Sequence, residues 1–143
     1  MLSFRRTLAE VCSRIFALRE HFNARRLWED DSEARSLKLL REWLSPVQLA
    51  QFDADGHFDV IGCDTGKKYR IHYGSSMNVE ELDQFGQPRI CYCFVTDAPL
   101  APGDVVLAQK IALETGEHAA LAIANKFTPK RRSPVSVNLW MGS

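Results

Sequence analysis

The sequence predicts an α+β fold in which a three- to four-stranded antiparallel β-meander is packed by C-terminal helices and preceded by N-terminal helices. Residues 57 to 95 alternate between apolar and polar side chains in short runs, which is the period of β-strands. Only a few residues separate these runs, whereas parallel strands need crossovers of about a dozen residues. The 143-residue chain is 45% hydrophobic and 25% charged, which is typical of one globular domain.

The first element is predicted to be an amphipathic helix from about residue 3 to residue 28. Six apolar residues recur there at spacings of four and three, and we call them the seam: Phe4, Leu8, Val11, Ile15, Leu18 and Phe22. Such a seam is typical of a helix that packs on its own domain, on a second copy or in a partner's groove. A basic amphipathic helix can also lie on an anionic membrane surface, which we do not favour. We predict that the seam binds a protein partner or another copy of the chain.

Two further helices are expected before the sheet. The polar residues 29–32 predict an end to the first helix, after which Asp31 or Ser32 would cap a second helix that runs to about Leu44. Ser45, Pro46 and Gln48 then follow the pattern of a capping box, with proline at the first helical position. They predict a short third helix that ends before Gly56.

Four strands are expected, at residues 57–62, 67–73, 77–82 and 89–95. In the first two, Phe58, Val60, Tyr69 and Ile71 fall on the apolar face, and charged residues alternate with them. Glycine and aspartate in the intervening segments suit tight turns, since Gly66 can adopt a positive φ. The fourth strand is apolar on both faces, which predicts that it is covered on both sides.

After the sheet, residues 97–103 are predicted to form a stiff loop because their two prolines disfavour helix. Asp104 would then cap a largely apolar helix over residues 105–114, and a last Ala-rich helix would span 117–125. The tail from residue 128 is basic and contains prolines, so we expect it to be flexible. The chain is thus divided into a helix (1–30), an α+β domain (31–127) and a tail (128–143).

Charge and cysteine content narrow the possible roles. The chain holds 18 basic and 18 acidic residues, so its net charge does not indicate nucleic-acid binding. Nucleic-acid binding through the basic termini is nevertheless a third hypothesis for the function. The chain contains no run of about eighteen apolar residues, so the sequence predicts no transmembrane helix. We expect the cytoplasm, where the four cysteines would be reduced.

A small cysteine and histidine enzyme or a zinc protein is the alternative function. Cys63, Cys91, Cys93 and either His57 or His72 are residues that can hold zinc. However, Cys91 and Cys93 share one strand face instead of forming a CxxC knuckle, and buried, inert thiols explain them more simply. No nucleotide-binding, zinc-protease or serine-hydrolase motif occurs. We therefore predict no catalytic residue, no metal and no cofactor.

Residues 39 to 126 show a pattern that also occurs elsewhere. The succession Gly56-His-Phe-Asp-Val-Ile-Gly62, Tyr69-Arg-Ile71 and Asp104-Val-Val-Leu-Ala-Gln-Lys-Ile-Ala-Leu113 resembles a small domain of bacterial and phage proteins that has no established activity. The resemblance implies a shared fold and nothing about chemistry. Because the seam lies outside it, we predict that this protein is a non-catalytic adaptor that acts through its N-terminal helix.

Overall fold

The structure is a computed structural model that describes residues 2–129, without the side chains of residues 2–12, 15, 21 and 22. The described residues form four helices and five strands. The helices are α1 (Leu2–Trp43), α2 (Pro46–Asp55), α3 (Pro102–Thr115) and α4 (Glu117–Ile123). The strands are β1 (His57–Ile61), β2 (Lys68–His72), β3 (Val79–Leu82), β4 (Pro88–Cys93) and β5 (Asn125–Phe127). Residues 130–143, most of the predicted flexible tail, lie outside this description.

The strands form one antiparallel sheet in the order β1-β2-β3-β4-β5, which confirms the predicted α+β meander. The number of strands differs, because β5 adds a fifth. Cys91 of β4 pairs with Phe127, and Cys93 pairs with Asn125. The predicted last helix therefore ends at Ile123, two residues early, and the chain joins the sheet instead.

The core lies between one face of the sheet and the helices. Phe58, Val60, Tyr69 and Ile71 are each at most 1% exposed, as their alternation predicted. The apolar side chains of α3, those of Leu37 and Leu40 near the end of α1, and that of Leu44 just after it pack against them. The helices thus form one layer on the sheet.

The second face of the sheet is partly open, so the prediction that β4 is covered on both sides is wrong. Tyr92 is only 2% exposed, but Cys91 and Cys93 on the other face are partly exposed. Val95, which was expected to extend this strand, lies beyond its end and is 73% exposed. Among the described residues, the helices contribute to the core on the Tyr92 side of the sheet and not on the cysteine side.

The predicted break at residues 29–32 is also wrong, because α1 is one continuous helix of 42 residues. The segment contains no proline or glycine that would end a helix. Arg25 instead pairs with Glu29 at 3.6 Å, and Arg35 pairs with Asp31, both at a spacing of four residues. Such pairs stabilise a helix, so the charged residues continue it.

The caps and turns agree in part with the predictions. Ser45 and Gln48 form the expected capping box, and Gly66 has φ 70°. The loop before α3 is shorter than expected, because proline is tolerated in a first turn and Pro102 begins the helix. Asp104 therefore lies within the first turn instead of capping it. β3 begins at Val79 because Met77 has a φ of 48°, which a strand does not allow.

Candidate functional site: the projecting N-terminal helix

Most of α1 projects from the domain. At 1.5 Å per residue the helix is about 63 Å long, and every described side chain from residue 13 to residue 35 is exposed. Among the described side chains of α1, the first buried one is Ser36, where α1 crosses α3. A Cβ atom added to Gly103 would lie 2.6 Å from the Ser36 backbone carbon, so the two helices touch through their backbones. The domain therefore buries side chains only in about the last fifth of the helix.

The projecting part carries large apolar side chains in water. Phe16, Leu18, Leu27 and Trp28 are 58% to 72% exposed. Leu18 is the one seam residue whose side chain is described, while the other five lie outside the described side chains. Helix periodicity relates the seam to the core, because Phe22 precedes the fully buried Leu40 by 18 residues, which is five turns. The seam positions thus continue the line that enters the core farther along the helix.

The base of the projecting part is fixed to the sheet. The Tyr73 hydroxyl donates a hydrogen bond to Glu33 Oε1 at 3.0 Å. Burial and this carboxylate raise the pKa of Tyr73 to about 12. Next to this contact, Trp28 and the loop 99–102 line a cleft of about 520 Å³. The direction of the helix is thereby set from about residue 33 onward.

The structure separates the residues that a zinc site would have to use. Cys91 and Cys93 lie on β4, whereas Cys63 follows β1 at the far side of two intervening strands. Strands are about 4.8 Å apart, so this separation is on the order of 14 Å. His72 lies on β2, where its Nε2 is 2.9 Å from Glu80 Oε2. The described residues thus bring His72 to Glu80 instead of to a cysteine.

Cys91 pairs with Glu80 across β3 and β4. Burial and the Glu80 carboxylate raise the pKa of this thiol. A raised pKa favours the neutral thiol, whereas a nucleophile or zinc ligand needs the thiolate. This environment is the opposite of what the enzyme hypothesis requires.

A buried carboxylate that sequence reasoning missed lies at the start of α4. Glu117 is 0% exposed and accepts four hydrogen bonds. The backbone N–H groups of Asp64 and Thr65 donate to Oε2 at 2.8 Å each. The Tyr69 hydroxyl donates to Oε1 at 2.6 Å, and the Thr65 hydroxyl donates to the same oxygen. We call this arrangement the Glu117 cage.

Cys63, Asp64 and Glu117 bring possible ligand atoms within 4.8 Å of one another, as in a metal centre. The hydrogen bonds of the Glu117 cage give this carboxylate a different role, because four donors already use its two oxygens. Asp64 in turn accepts a bond from the His118 backbone N–H at 2.9 Å. The cluster therefore locks the β1–β2 turn onto α4. The contact was not predicted because Asp64 and Glu117 are 53 residues apart, and no local sequence pattern indicates such a contact.

The tyrosines and basic residues of β2 were a further candidate for nucleic-acid binding, and the structure places them on opposite faces of the strand. The predicted alternation is confirmed, since Tyr69 faces the core while Lys68 and Arg70 lie on the open face. Arg70 is engaged with Asp59, whose Oδ1 lies 2.9 Å from its Nε. On β2, aromatic rings and cations therefore lie on different faces, whereas base stacking needs both on one surface.

None of the described helices has an apolar stretch sufficient to cross a bilayer. Comparisons with known proteins add no relative: no protein-family model, curated protein or solved structure matches the chain. The resemblance over residues 39 to 126 therefore stays an expectation from its residues alone. The function must be inferred from the geometry.

Proposed function

We propose that this protein is a non-catalytic adaptor subunit whose projecting helix binds a helical segment of a protein partner. The observation that carries this proposal is the exposure of every described side chain of α1 between residues 13 and 35, large apolar ones included. Leu18 is exposed on the seam, and the seam spacing predicts that the other five positions continue its face. Monomeric proteins rarely leave such a contiguous apolar face in water unless another molecule covers it. A helix in a protein also gains most of its stability from tertiary packing, which the domain supplies only at the end of α1.

The rest of the molecule supports a holding role. The Gly103 crossing and the bond between Tyr73 and Glu33 fix the base of the helix, so that the domain presents the seam in one direction. Preorganisation of this kind lowers the entropic cost of binding. The free cysteines among the described residues fit a reducing compartment such as the cytoplasm.

The proposal is tested by placing charges on the seam. Leu8→Glu with Ile15→Glu introduces two carboxylates into an apolar interface, where each would be desolvated without a partner. Tagged protein expressed in its source cell should lose its specific co-purifying protein, by at least about tenfold relative to the unaltered chain. The recovered amounts are compared by quantitative mass spectrometry.

The matched control is Ala17→Glu with Ala24→Glu, which adds the same charge at exposed positions on the opposite side of α1. This pair should leave recovery unchanged, and both variants should unfold at the same temperature because the core begins at Ser36. Equal recovery from the seam variant, the control and the unaltered chain would refute the proposal.

A further inference from the structure

We infer that the partner of the projecting helix is an acidic amphipathic helix and not a second copy of this chain. This inference rests on the proposed function and adds the chemistry of the partner. It comes from the charges that border the seam. Those charges have one sign, and they are segregated from the acidic residues of the same helix.

The spacing of the seam fixes a heptad register on the continuous helix α1. Leu8, Ile15 and Phe22 occupy a positions, and Phe4, Val11 and Leu18 occupy d positions. The e and g positions, which border such a seam, face the partner's own e and g residues in a pair of helices. Charges at these positions decide which helices pair.

The eight bordering positions between residues 5 and 28 contain no acidic residue. They are, in order, Arg5, Thr7, Cys12, Arg14, Arg19, His21, Arg26 and Trp28. Among those with described side chains, Arg14, Arg19 and Arg26 are exposed. The two acids of this segment, Glu10 and Glu20, occupy c and f positions on the outer side. The border is therefore positive, although the chain as a whole has zero net charge.

Pairing with a second copy would bring like charges together. In a parallel pair, each g residue faces the e residue five positions later on the other helix, which places Arg14 opposite Arg19 and His21 opposite Arg26. In an antiparallel pair, e faces e and g faces g, so arginine again faces arginine or a neutral residue. Like charges across the interface disfavour self-pairing, whereas glutamates at the same positions would pair with each arginine.

An anionic membrane also attracts a basic helix, but the seam favours a protein. Its spacings alternate strictly between four and three, which gives the narrow a and d stripe of helix pairing. A helix that lies in a membrane interface carries a wide apolar face instead. Arg19 and Arg26 lie immediately beside the seam, and their charges would border the acyl region. The charge pattern thus complements acidic side chains at fixed heptad positions.

The test uses the full chain and two synthetic four-heptad peptides that differ only in their border. Both carry isoleucine at a and leucine at d; one has glutamate and the other lysine at every e and g position. Fluorescence anisotropy should show the glutamate peptide binding at least about tenfold more tightly in about 0.05 M salt. The preference should shrink in about 0.5 M salt, because exposed charges are screened.

Two variants separate the border charges from net charge. Arg14→Gln, Arg19→Gln and Arg26→Gln together should remove most of the preference. Ser13→Glu, Ala17→Glu and Ala24→Glu lower the net charge by the same amount on the outer side and should retain it. An equal loss in both variants would overturn the inference.

The remaining outcomes distinguish the inference from the function on which it rests. If sedimentation equilibrium shows the full chain dimerising through the seam and the peptides bind equally, the adaptor function stands and the acidic partner is wrong. If vesicles of phosphatidylserine bind the chain and neither peptide does, a lipid surface replaces the partner helix. If the chain neither self-associates nor binds either peptide or the vesicles, the proposed function fails as well.

Discussion

Single residues hold the β1–β2 turn against α4, and Gly62 leaves the space that the Glu117 carboxylate occupies. A Cβ atom at Gly62 would lie 2.3 Å from Glu117 Cδ, which no side-chain contact allows. The carboxylate cannot move aside without breaking bonds from Thr65, Tyr69 and the backbone of Asp64. Glycine at position 62 is therefore required by space and not by a turn conformation.

Gly62→Ala should destabilise the domain by about 2 kcal/mol or more. The added methyl group either overpacks the site or breaks the hydrogen bonds of the buried Glu117 carboxylate. Urea unfolding followed by circular dichroism measures the change. Gly74→Ala is the matched control, since a Cβ atom there would meet its nearest neighbour at 3.9 Å. A Gly62 variant as stable as the Gly74 variant would contradict the account of the cage.

The same cage makes stability depend on pH. Burial alone would raise the pKa of Glu117, but the bonds from Thr65, Tyr69 and the backbone of Asp64 outweigh it and lower the pKa to about 2. The folded pKa lies below the ordinary value of 4.5, so the stabilisation is complete above about pH 4.5 and is lost as pH falls toward 2.

Glu117→Gln keeps one acceptor oxygen but places an NH₂ group against a donor, which costs about 2 kcal/mol or more at neutral pH. The difference in unfolding free energy between the unaltered chain and this variant should therefore be largest at about pH 6 and clearly smaller near about pH 3. Urea titrations at both pH values provide the measurement. A difference that stays constant would show that the carboxylate charge does not stabilise the fold.

Whether a residue's role was predictable depended on how far away its partner lies in the chain. Ser45 and Gln48 are three positions apart, so the capping box was legible, and the strand alternation exposed Tyr69 and Ile71 as core residues. Glu117 looked like an ordinary helix residue, because its partners lie about fifty positions earlier. A contact between residues that are distant in the sequence produces no periodic pattern of side chains.

Among the elements, the crossing of α1 and α3 determines where the projecting helix begins. Ser36 and Gly103 meet there without space for a further carbon atom. The sequence indicated helices on both sides of the sheet-forming residues but gave no sign of this crossing. It also suggested a break at residues 29–32, since polar residues resemble a loop until their pairing along the helix is known. β5 was missed because three residues are too short for a pattern.

Gly103→Ala tests this crossing. The added carbon would lie 2.6 Å from the Ser36 backbone and would force α1 away from α3. The domain should lose about 1 to 3 kcal/mol, which is typical of overpacking in a tightly packed contact. Amide exchange of residues 36–43 should accelerate along with the loss in urea stability. If amide exchange of residues 36–43 does not accelerate, the contact between Ser36 and Gly103 does not hold α1 on the domain.

At the scale of the whole molecule, a packed α+β domain carries a helix whose projecting part it does not bury. The fold class, the meander and an apolar seam were predictable because each is a periodic property of the sequence. The continuity of α1 and its projection were not, since they depend on which surfaces the domain fails to cover. A packed domain with an uncovered helix agrees with the proposal that the domain presents this helix to a partner protein.

The most direct test of that claim is the native mass of the full chain beside a chain that lacks residues 1–24, both in lysate of the source cell. Residues 36–127 contain the core, so the shorter chain should stay folded, with a melting temperature within about 2 °C of the original. The full chain is expected in a larger assembly and the shorter chain at the mass of a monomer. If both run as the same monomer, the projecting helix does not bind a partner, and the central claim is wrong.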